Sequence, residues 1–203
     1  MISKKLLIGS VFAASLLLVG CGGGSSDDTT VATSTGYLVD SPVANVDYDC
    51  IADNDYNKTT ATDGMFTCRN MVQVRFRIGE LVLGELTSLP ADGYVFPQDL
   101  VGVARDTGIG NEKVIAMAQL LQSLDTDGDP TNGITIPQEV KDLLAEIMED
   151  FDPTQLQLYF DSASVPEARI RTRTEAQAHL RETIEAITGL SLPDIVPVEE
   201  ESQ

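Results

Sequence analysis

The chain has 203 residues, enough to bury the core of one or two small domains. Its 32 acidic residues outnumber the 13 basic ones, which gives a formal net charge of −19 at pH 7. Because a field of this sign repels phosphate backbones and anionic headgroups, the composition argues against nucleic-acid binding and favours cations and basic surfaces as partners.

The first segment of the chain, residues 1–20, has the layout of an export signal peptide. Lys4 and Lys5 form a positive n-region. The apolar run from Leu6 to Leu18 that follows is shorter than the ~20 residues needed to span a bilayer. We therefore expect residues 1–20 to be cleaved rather than to anchor the protein.

The apolar run ends in Leu18-Val19-Gly20-Cys21, which resembles the processing box of bacterial lipoproteins. This resemblance implies cleavage before Cys21, lipidation of the Cys21 thiol and a membrane anchor at that end of the chain. Because Gly22 rather than Asp follows the cysteine, the resemblance also implies transfer to the outer membrane. The alternative is an ordinary secretory signal that happens to precede a cysteine.

The stretch after Cys21 is predicted to be a flexible tether. Residues 22–30 are glycines and small polar residues with no large apolar side chain to bury. We assign residues 21–35 to this tether and expect the folded part to begin near Gly36.

Residues 36–100 show the two-residue alternation of half-buried antiparallel strands. The apolar positions of its two clearest runs are Val46, Tyr48 and Cys50, and Val72, Val74, Phe76 and Ile78. The charged side chains between them, which include Asp47, Asp49, Arg75 and Arg77, are expected to face water. Turn signals such as Asp63-Gly64 separate the runs, so the pattern predicts a small antiparallel β-sandwich.

Two segments of this region resemble a known family. Gly36-Tyr37-Leu38-Val39-Asp40-Ser41-Pro42-Val43-Ala44-Asn45-Val46 precedes Thr60-Ala61-Thr62-Asp63-Gly64-Met65-Phe66. This order is similar to that of the carboxypeptidase-regulatory-like, transthyretin-type β-sandwich family. The resemblance covers about 50 residues and implies a spacer or binding module of exported proteins, not a catalyst.

With Cys21 assigned to lipid, Cys50 and Cys68 remain as a pair. In an oxidising compartment they are expected to form a disulfide worth ~3 kcal/mol. A zinc site is the competing use, but no third or fourth ligand lies near them in the sequence.

Asp53, Asp55 and Asn57 also have the spacing of a loop cation site, although a plain hairpin loop is the favoured interpretation.

From about Asn111 apolar side chains recur every three or four residues, which predicts a helical subdomain over residues 101–192. The first helix presents Val114, Met117, Ala118, Leu121 and Leu124 on one face. The second follows Pro137 and presents Val140, Leu143, Leu144 and Ile147. The fold class is therefore α+β, with the β-sandwich first and the helices after it.

A third helix is predicted from Thr172 to Thr188. Thr172 and Glu175 have the spacing of a capping box, and Gly189 follows the last turn. Residues 151–166 fit either a short helix or an extended packing segment. Residues 193–203, rich in glutamate, are assigned to a solvated acidic tail.

An acidic stretch, Asp125-Thr126-Asp127-Gly128-Asp129-Pro130-Thr131-Asn132-Gly133-Ile134-Thr135, lies between the first two helices. Three carboxylates at alternate positions repel one another unless a cation neutralises them. Calcium suits such a loop because it accepts six to eight oxygens without strict geometry. The helix–loop–helix setting resembles an EF-hand or dockerin-type calcium loop.

The residues that match this resemblance are Asp125, Asp127, Asp129 and Thr131, with Glu139 as the closing carboxylate. The register is imperfect, because a twelve-residue loop opened at Asp127 closes on Gln138 and one opened at Asp125 closes on Ile136. We therefore expect weak binding, at the ~10⁻⁴ to 10⁻³ M typical of extracellular modules. The alternative is an acidic interhelical turn whose aspartate side chains cap the helix that follows Pro137.

The longer string Leu120–Ile134 is similar to a segment of uncharacterised lipoproteins and surface proteins of Gram-negative bacteria. The resemblance implies an envelope role without a known reaction.

The sequence carries few signs of an enzyme. His179 is the only histidine, lies in the third predicted helix and is assigned a helix-surface or packing role. Gly108-Ile109-Gly110 is interpreted as a turn before a helix that begins at Glu112, not as a phosphate loop. We therefore expect a non-enzymatic envelope protein for adhesion, assembly or scaffolding, with envelope or surface proteins as partners. The alternatives are a periplasm-facing ligand-binding or sensing lipoprotein and an accessory subunit of an envelope hydrolase.

Overall fold

The structure is a computed structural model that describes residues 32–193. The predicted signal peptide 1–20, Cys21 and nearly all of the tail 193–203 lie outside the described residues. The strands are β1 Ser34–Leu38, β2 Val43–Ala44, β3 Asp47–Cys50, β4 Asp55–Thr59, β5 Met65–Cys68, β6 Val74–Ile78, β7 Leu81–Leu86, β8 Tyr94–Val95 and β9 Ile134–Thr135. The helices are α1 Pro97–Val101, α2 Glu112–Ser123, α3 Gln138–Leu144, α4 Leu156–Ser162 and α5 Arg173–Thr188. The fold is α+β, as predicted.

The main sheet has the order β4-β3-β6-β7, and all of its pairs are antiparallel. Its β6 strand follows the predicted alternation, since Val74, Phe76 and Ile78 are fully buried. Val72, predicted to face inward with them, is 45% exposed. The reason is Gln73, whose φ of +57° interrupts the extended backbone before β6 begins.

A second sheet has the order β5-β1-β8. Strand β1 begins at Ser34, inside the predicted tether 21–35, because Ser34 and Thr35 pair with Cys68 and Thr67 of β5. The prediction of purely antiparallel strands was wrong here, since β1 pairs with β8 in parallel, and so does β2 with β9. These short parallel pairs join segments that are distant in sequence.

Aromatic side chains fill the space between the two larger sheets. Phe66 of β5 meets Phe76 of β6 edge-on, with ring centroids 5.0 Å apart, and Tyr48 of β3 packs against both rings. The predicted disulfide is present: Cys50 of β3 is bonded to Cys68 of β5, with Cα atoms 5.7 Å apart. It ties one sheet to the other, and bonded sulfurs are not available to zinc.

Removal of this disulfide should cost ~3 kcal/mol of unfolding free energy, because the bond closes a loop between residues 18 apart. The test is urea denaturation of the Cys50→Ala/Cys68→Ala double variant beside the oxidised wild type. The wild type measured in reductant is the control, because it loses the bond but keeps both sulfur atoms. Any further loss in the double variant then comes from the packing of those sulfurs. An unchanged midpoint in both samples would show that the bond does not stabilise the fold.

The predicted helices are confirmed, with two changes in detail. Helix α5 has the capping box of Thr172 and Glu175 and ends at Gly189, whose φ is +69°. Helix α3 follows Pro137 but is only seven residues long, and Leu143 is 45% exposed rather than inward. Residues 156–162 form α4. Among residues 32–193 no helix is long and apolar enough to cross a membrane.

The hydrophobic core crosses the predicted boundary near residue 100. One buried cluster contains Phe76 from the main sheet together with Leu121 from α2 and Tyr159 from α4. A second cluster joins Val39 and Phe96 to the inner face of α5. Strands and helices therefore share their cores.

Asp47 and Asp49, expected to face water, are each only 8% exposed. Their charges are compensated within the protein. Asp47 lies 2.7 Å from Lys141 Nζ of α3, and Asp49 lies 3.3 Å from Arg77 Nε. The Asp47–Lys141 pair fastens α3 to the main sheet, whereas the Asp49–Arg77 pair joins β3 to β6 within the sheet.

Candidate cation site

Secondary structure holds both ends of the acidic loop. The loop leaves α2 just after Leu124 and returns through β9, whose Ile134 N–H donates to the Pro42 carbonyl at 2.9 Å. The Ile136 N–H then donates to the Ala44 carbonyl at 3.1 Å, immediately before α3. The loop between residues 125 and 133 is therefore placed against the turn that connects β1 to β2.

Asp125 opens the loop and is only 2% exposed. Its Oδ1 atom accepts hydrogen bonds from the Thr126 N–H at 2.9 Å and from the Thr135 N–H at 2.8 Å. Its Oδ2 atom is also buried but has no hydrogen-bond donor among the described residues. A buried carboxylate oxygen without a partner is costly, so this atom calls for a cation or a proton.

Asp127 is the closest acidic neighbour of Asp125. Its Oδ1 accepts from the Asp129 N–H at 2.9 Å, and its Oδ2 accepts from Asn132 Nδ2 at 3.0 Å. These bonds, together with a hydrogen bond from the Asp125 carboxyl when that group is protonated, lower the pKa of Asp127 to about 2, so Asp127 is ionised at neutral pH. Burial raises the pKa of Asp125, and the Asp127 carboxylate adds to that rise.

Asp129 and Thr131 serve the turn itself. Asp129 Oδ1 accepts from the Thr131 N–H at 3.1 Å and from the Thr131 hydroxyl at 2.6 Å, capping a 3-10 turn at Pro130–Asn132. These hydrogen bonds hold the pKa of Asp129 below its usual value. Asp129 thus caps this short turn and not the helix that follows Pro137, which has no side-chain cap.

A cavity of about 260 Å³ opens at the two acidic residues. It is lined by Thr62, Asp125, Thr126, Asp127, Asn132, Gly133, Ile134 and Thr135. Of the five predicted metal ligands, Asp125 and Asp127 line this cavity, whereas Asp129, Thr131 and Glu139 do not. Glu139 lies in the first turn of α3. The sequence did not predict that Thr62 lines this cavity, because Thr62 lies in the β4–β5 turn, about 60 residues before the acidic loop.

Two arginines that precede α5 lie near the loop. A Cβ atom added to Gly128, whose φ is +76°, would lie 3.5 Å from Arg169 Nε. The charge of Arg169 helps to lower the pKa of Asp127, and that of Arg171 does the same for Asp129. The negative charges of Asp127 and Asp129 are thus partly compensated by these arginines.

The other acidic group, Asp53, Asp55 and Asn57, does not converge on one point. Asp53 Oδ2 accepts from two backbone amides, those of Arg69 and Asn70, at 2.7 and 3.0 Å. Asp55 pairs with Lys58 at 3.0 Å, and Asn57 Oδ1 accepts from Arg77 at 2.7 Å. Each side chain serves its own hairpin contact, in agreement with the favoured interpretation.

His179 lies on α5 and is half-buried. Its Nε2 atom is 3.0 Å from Ser41 Oγ in the β1–β2 turn, and burial lowers the pKa of its ring. This contact attaches α5 to the same turn that receives the acidic loop.

No protein-family model matches the chain, and the comparisons with curated proteins and with solved structures found no match either. The residues and geometry of the acidic loop are therefore the basis for a functional proposal.

Proposed function

We propose that the loop between α2 and α3 binds a calcium ion that stabilises the fold. The observation that carries the proposal is Asp125, which lines a cavity together with Asp127 and has a buried carboxylate oxygen, Oδ2, without a hydrogen-bond donor among the described residues. A bound cation would satisfy this oxygen and remove the repulsion between the two carboxylates.

The chemistry favours calcium over magnesium. Magnesium requires near-ideal octahedral geometry, whereas calcium accepts irregular sets of six to eight oxygens. Here the aspartate oxygens come from alternate residues of a loop that is fixed at both ends, so their positions cannot adjust freely. With Glu139 outside the cavity, water must complete the shell, which agrees with weak binding at ~10⁻⁴ to 10⁻³ M.

For the whole chain we propose a lipid-anchored, non-enzymatic protein of the outer membrane that serves surface adhesion, assembly or scaffolding. The Leu18–Cys21 box supports the anchor, and the Cys50–Cys68 disulfide fits an oxidising compartment. The two larger sheets, packed through Phe66 and Phe76, support the transthyretin-type β-sandwich interpretation. Protease treatment of intact cells tests surface display, and full protection of the chain would contradict an adhesive role.

Calcium should raise the melting temperature of the full chain. By mass action, a free concentration 100-fold above the dissociation constant adds about 2.7 kcal/mol to the unfolding free energy. The measurement compares thermal melts in chelator and in CaCl2 for the wild type and for Asp125→Asn, which should lose the shift. Asp161→Asn is the control, because Asp161 is an exposed aspartate on α4. A wild type that melts identically with and without calcium rules out the proposal.

A further inference from the structure

The cavity at Asp125 has two walls that come from different parts of the chain. One wall is the acidic loop, and the other is the β4–β5 turn, which contributes the exposed residue Thr62. No hydrogen bond or ion pair between described residues joins residues 62–64 of this turn to residues 125–133 of the loop. The cavity therefore separates two segments that lack a direct polar link.

Both walls are fixed to the same piece of backbone, the segment from β1 to β2. The Leu38 N–H donates to the Gly64 carbonyl at 2.9 Å, and a Cβ on Gly64 would lie 2.3 Å from the Leu38 carbonyl oxygen. On the other side, Ile134 donates to the Pro42 carbonyl at 2.9 Å. The spacing between the two walls is therefore built into the fold.

The side-chain polar atoms at this cavity that lack a hydrogen bond within the described residues are oxygens. Asn132 donates through Nδ2 to Asp127, which leaves its Oδ1 oxygen without a hydrogen bond within the described residues. The Thr62 hydroxyl likewise makes no hydrogen bond within residues 32–193. Asp125 and Asp127 line the same cavity, so the loop wall offers two carboxyl groups and the Asn132 amide oxygen, and the opposite wall offers the Thr62 hydroxyl. Calcium takes mixed sets of this kind.

We propose that Thr62 is a ligand of the same ion, so that calcium clips the β4–β5 turn to the acidic loop. The inference rests on the proposed calcium site and extends it from one loop to two segments. The ion is then an internal cross-link between strand and helix regions, and binding orders the turn as well as the loop.

The test is calorimetric titration of the full chain with CaCl2, with Thr62→Val compared to the wild type. Valine keeps the shape of threonine and removes the hydroxyl oxygen. The dissociation constant should rise at least roughly tenfold, because loss of even an outer-shell partner of a metal ligand costs about 10–100-fold. Thr59→Val, at an exposed position of β4 away from the cavity, is the matched control and should bind as the wild type does.

Amide hydrogen exchange supplies a second readout, since calcium should slow exchange in residues 61–65 of the wild type but not of Thr62→Val. Equal affinities of Thr62→Val and wild type, with no protection of the turn, would show that Thr62 is not a ligand. The proposed calcium site in the acidic loop would still stand. A wild type that releases no heat on titration would instead overturn the calcium site itself.

Discussion

Replacement of Lys141 by alanine should destabilise the protein by ~3–5 kcal/mol. Lys141 is only 6% exposed, and its Nζ atom lies 2.7 Å from Asp47 Oδ1 and 3.4 Å from Asn45 Oδ1. Its removal leaves Asp47 buried with Arg77 as its nearest basic partner, 3.9 Å away. Because a buried charge that loses its closest partner is costly, most of the loss comes from the Asp47 carboxylate, which keeps only the longer contact with Arg77 and the hydrogen bond from the Gly79 N–H.

Urea denaturation measures this loss, and two further variants separate its causes. Lys141→Met/Asp47→Asn removes both charges and should recover much of the stability, because the buried carboxylate is gone. Arg75→Met breaks a partly exposed pair with Glu85 and should change stability by less than ~1 kcal/mol. If Lys141→Ala were as mild as Arg75→Met, the ion pair would not fasten α3 to the sheet as we describe.

Replacement of Asp40 by asparagine should stabilise the protein at pH 8 and have little effect near pH 4. Asp40 is fully buried in the β1–β2 turn, where burial raises its pKa to about 7 against the hydrogen bond from Gln122 and the charge of Arg171. The folded state therefore holds a proton on this carboxyl at pH values where the unfolded chain, with a pKa near 3.8, has released it.

The sign of the pH dependence follows from this difference. The contribution of Asp40 is complete below pH 3.8 and is lost as the pH rises through about 7, by ~1.4 kcal/mol for each pH unit and about 4 kcal/mol in all. Asparagine does not titrate and retains an oxygen that can accept from Gln122 Nε2, now 2.9 Å from Asp40 Oδ2. The stability difference between Asp40→Asn and wild type should thus grow from pH 4 to pH 8.

Urea denaturation at several pH values measures this difference, and Asp106→Asn, at an exposed aspartate, corrects for the general effect of removing a negative charge. A constant difference between Asp40→Asn and wild type across the range would show that Asp40 is ionised in the folded protein throughout.

Local signals predicted the helices well. Thr172, Glu175 and Gly189 mark the two ends of α5 because capping depends on residues within one turn of each helix end. The alternation of Val74, Phe76 and Ile78 likewise defines the buried face of β6. In both elements the deciding contacts are short-range or periodic, so they are visible in the sequence.

Contacts between segments that are distant along the chain could not be predicted from the sequence. Strands β2 and β9 have two residues each, too few for a pattern, yet their pairing fixes the acidic loop. Asp47 looked like a solvent-facing residue because its partner Lys141 lies 94 positions further on, in another element. Thr62 has no sequence signal at all, since its position at the cavity depends on how the β4–β5 turn packs against β1.

In the acidic loop, the sequence predicted some features of the candidate site and not others. The spacing of its aspartates singled out five candidate ligands, of which Asp125 and Asp127 line one cavity. The spacing could not show that Asp129 and Thr131 bond to each other, or that only Asp125 among the acidic residues of the loop is buried. Our proposal of a cation site therefore rests on the burial of one carboxylate oxygen and not on the number of acidic residues.

A crystal structure of the protein grown with CaCl2 is the most direct test of the calcium site. We predict one anomalous difference peak in the cavity, about 2.3–2.6 Å from Asp125 Oδ2 and from an oxygen of Asp127. A cavity without such a peak, with Asp125 Oδ2 hydrogen-bonded to water or sharing a proton with Asp127, would contradict the calcium site.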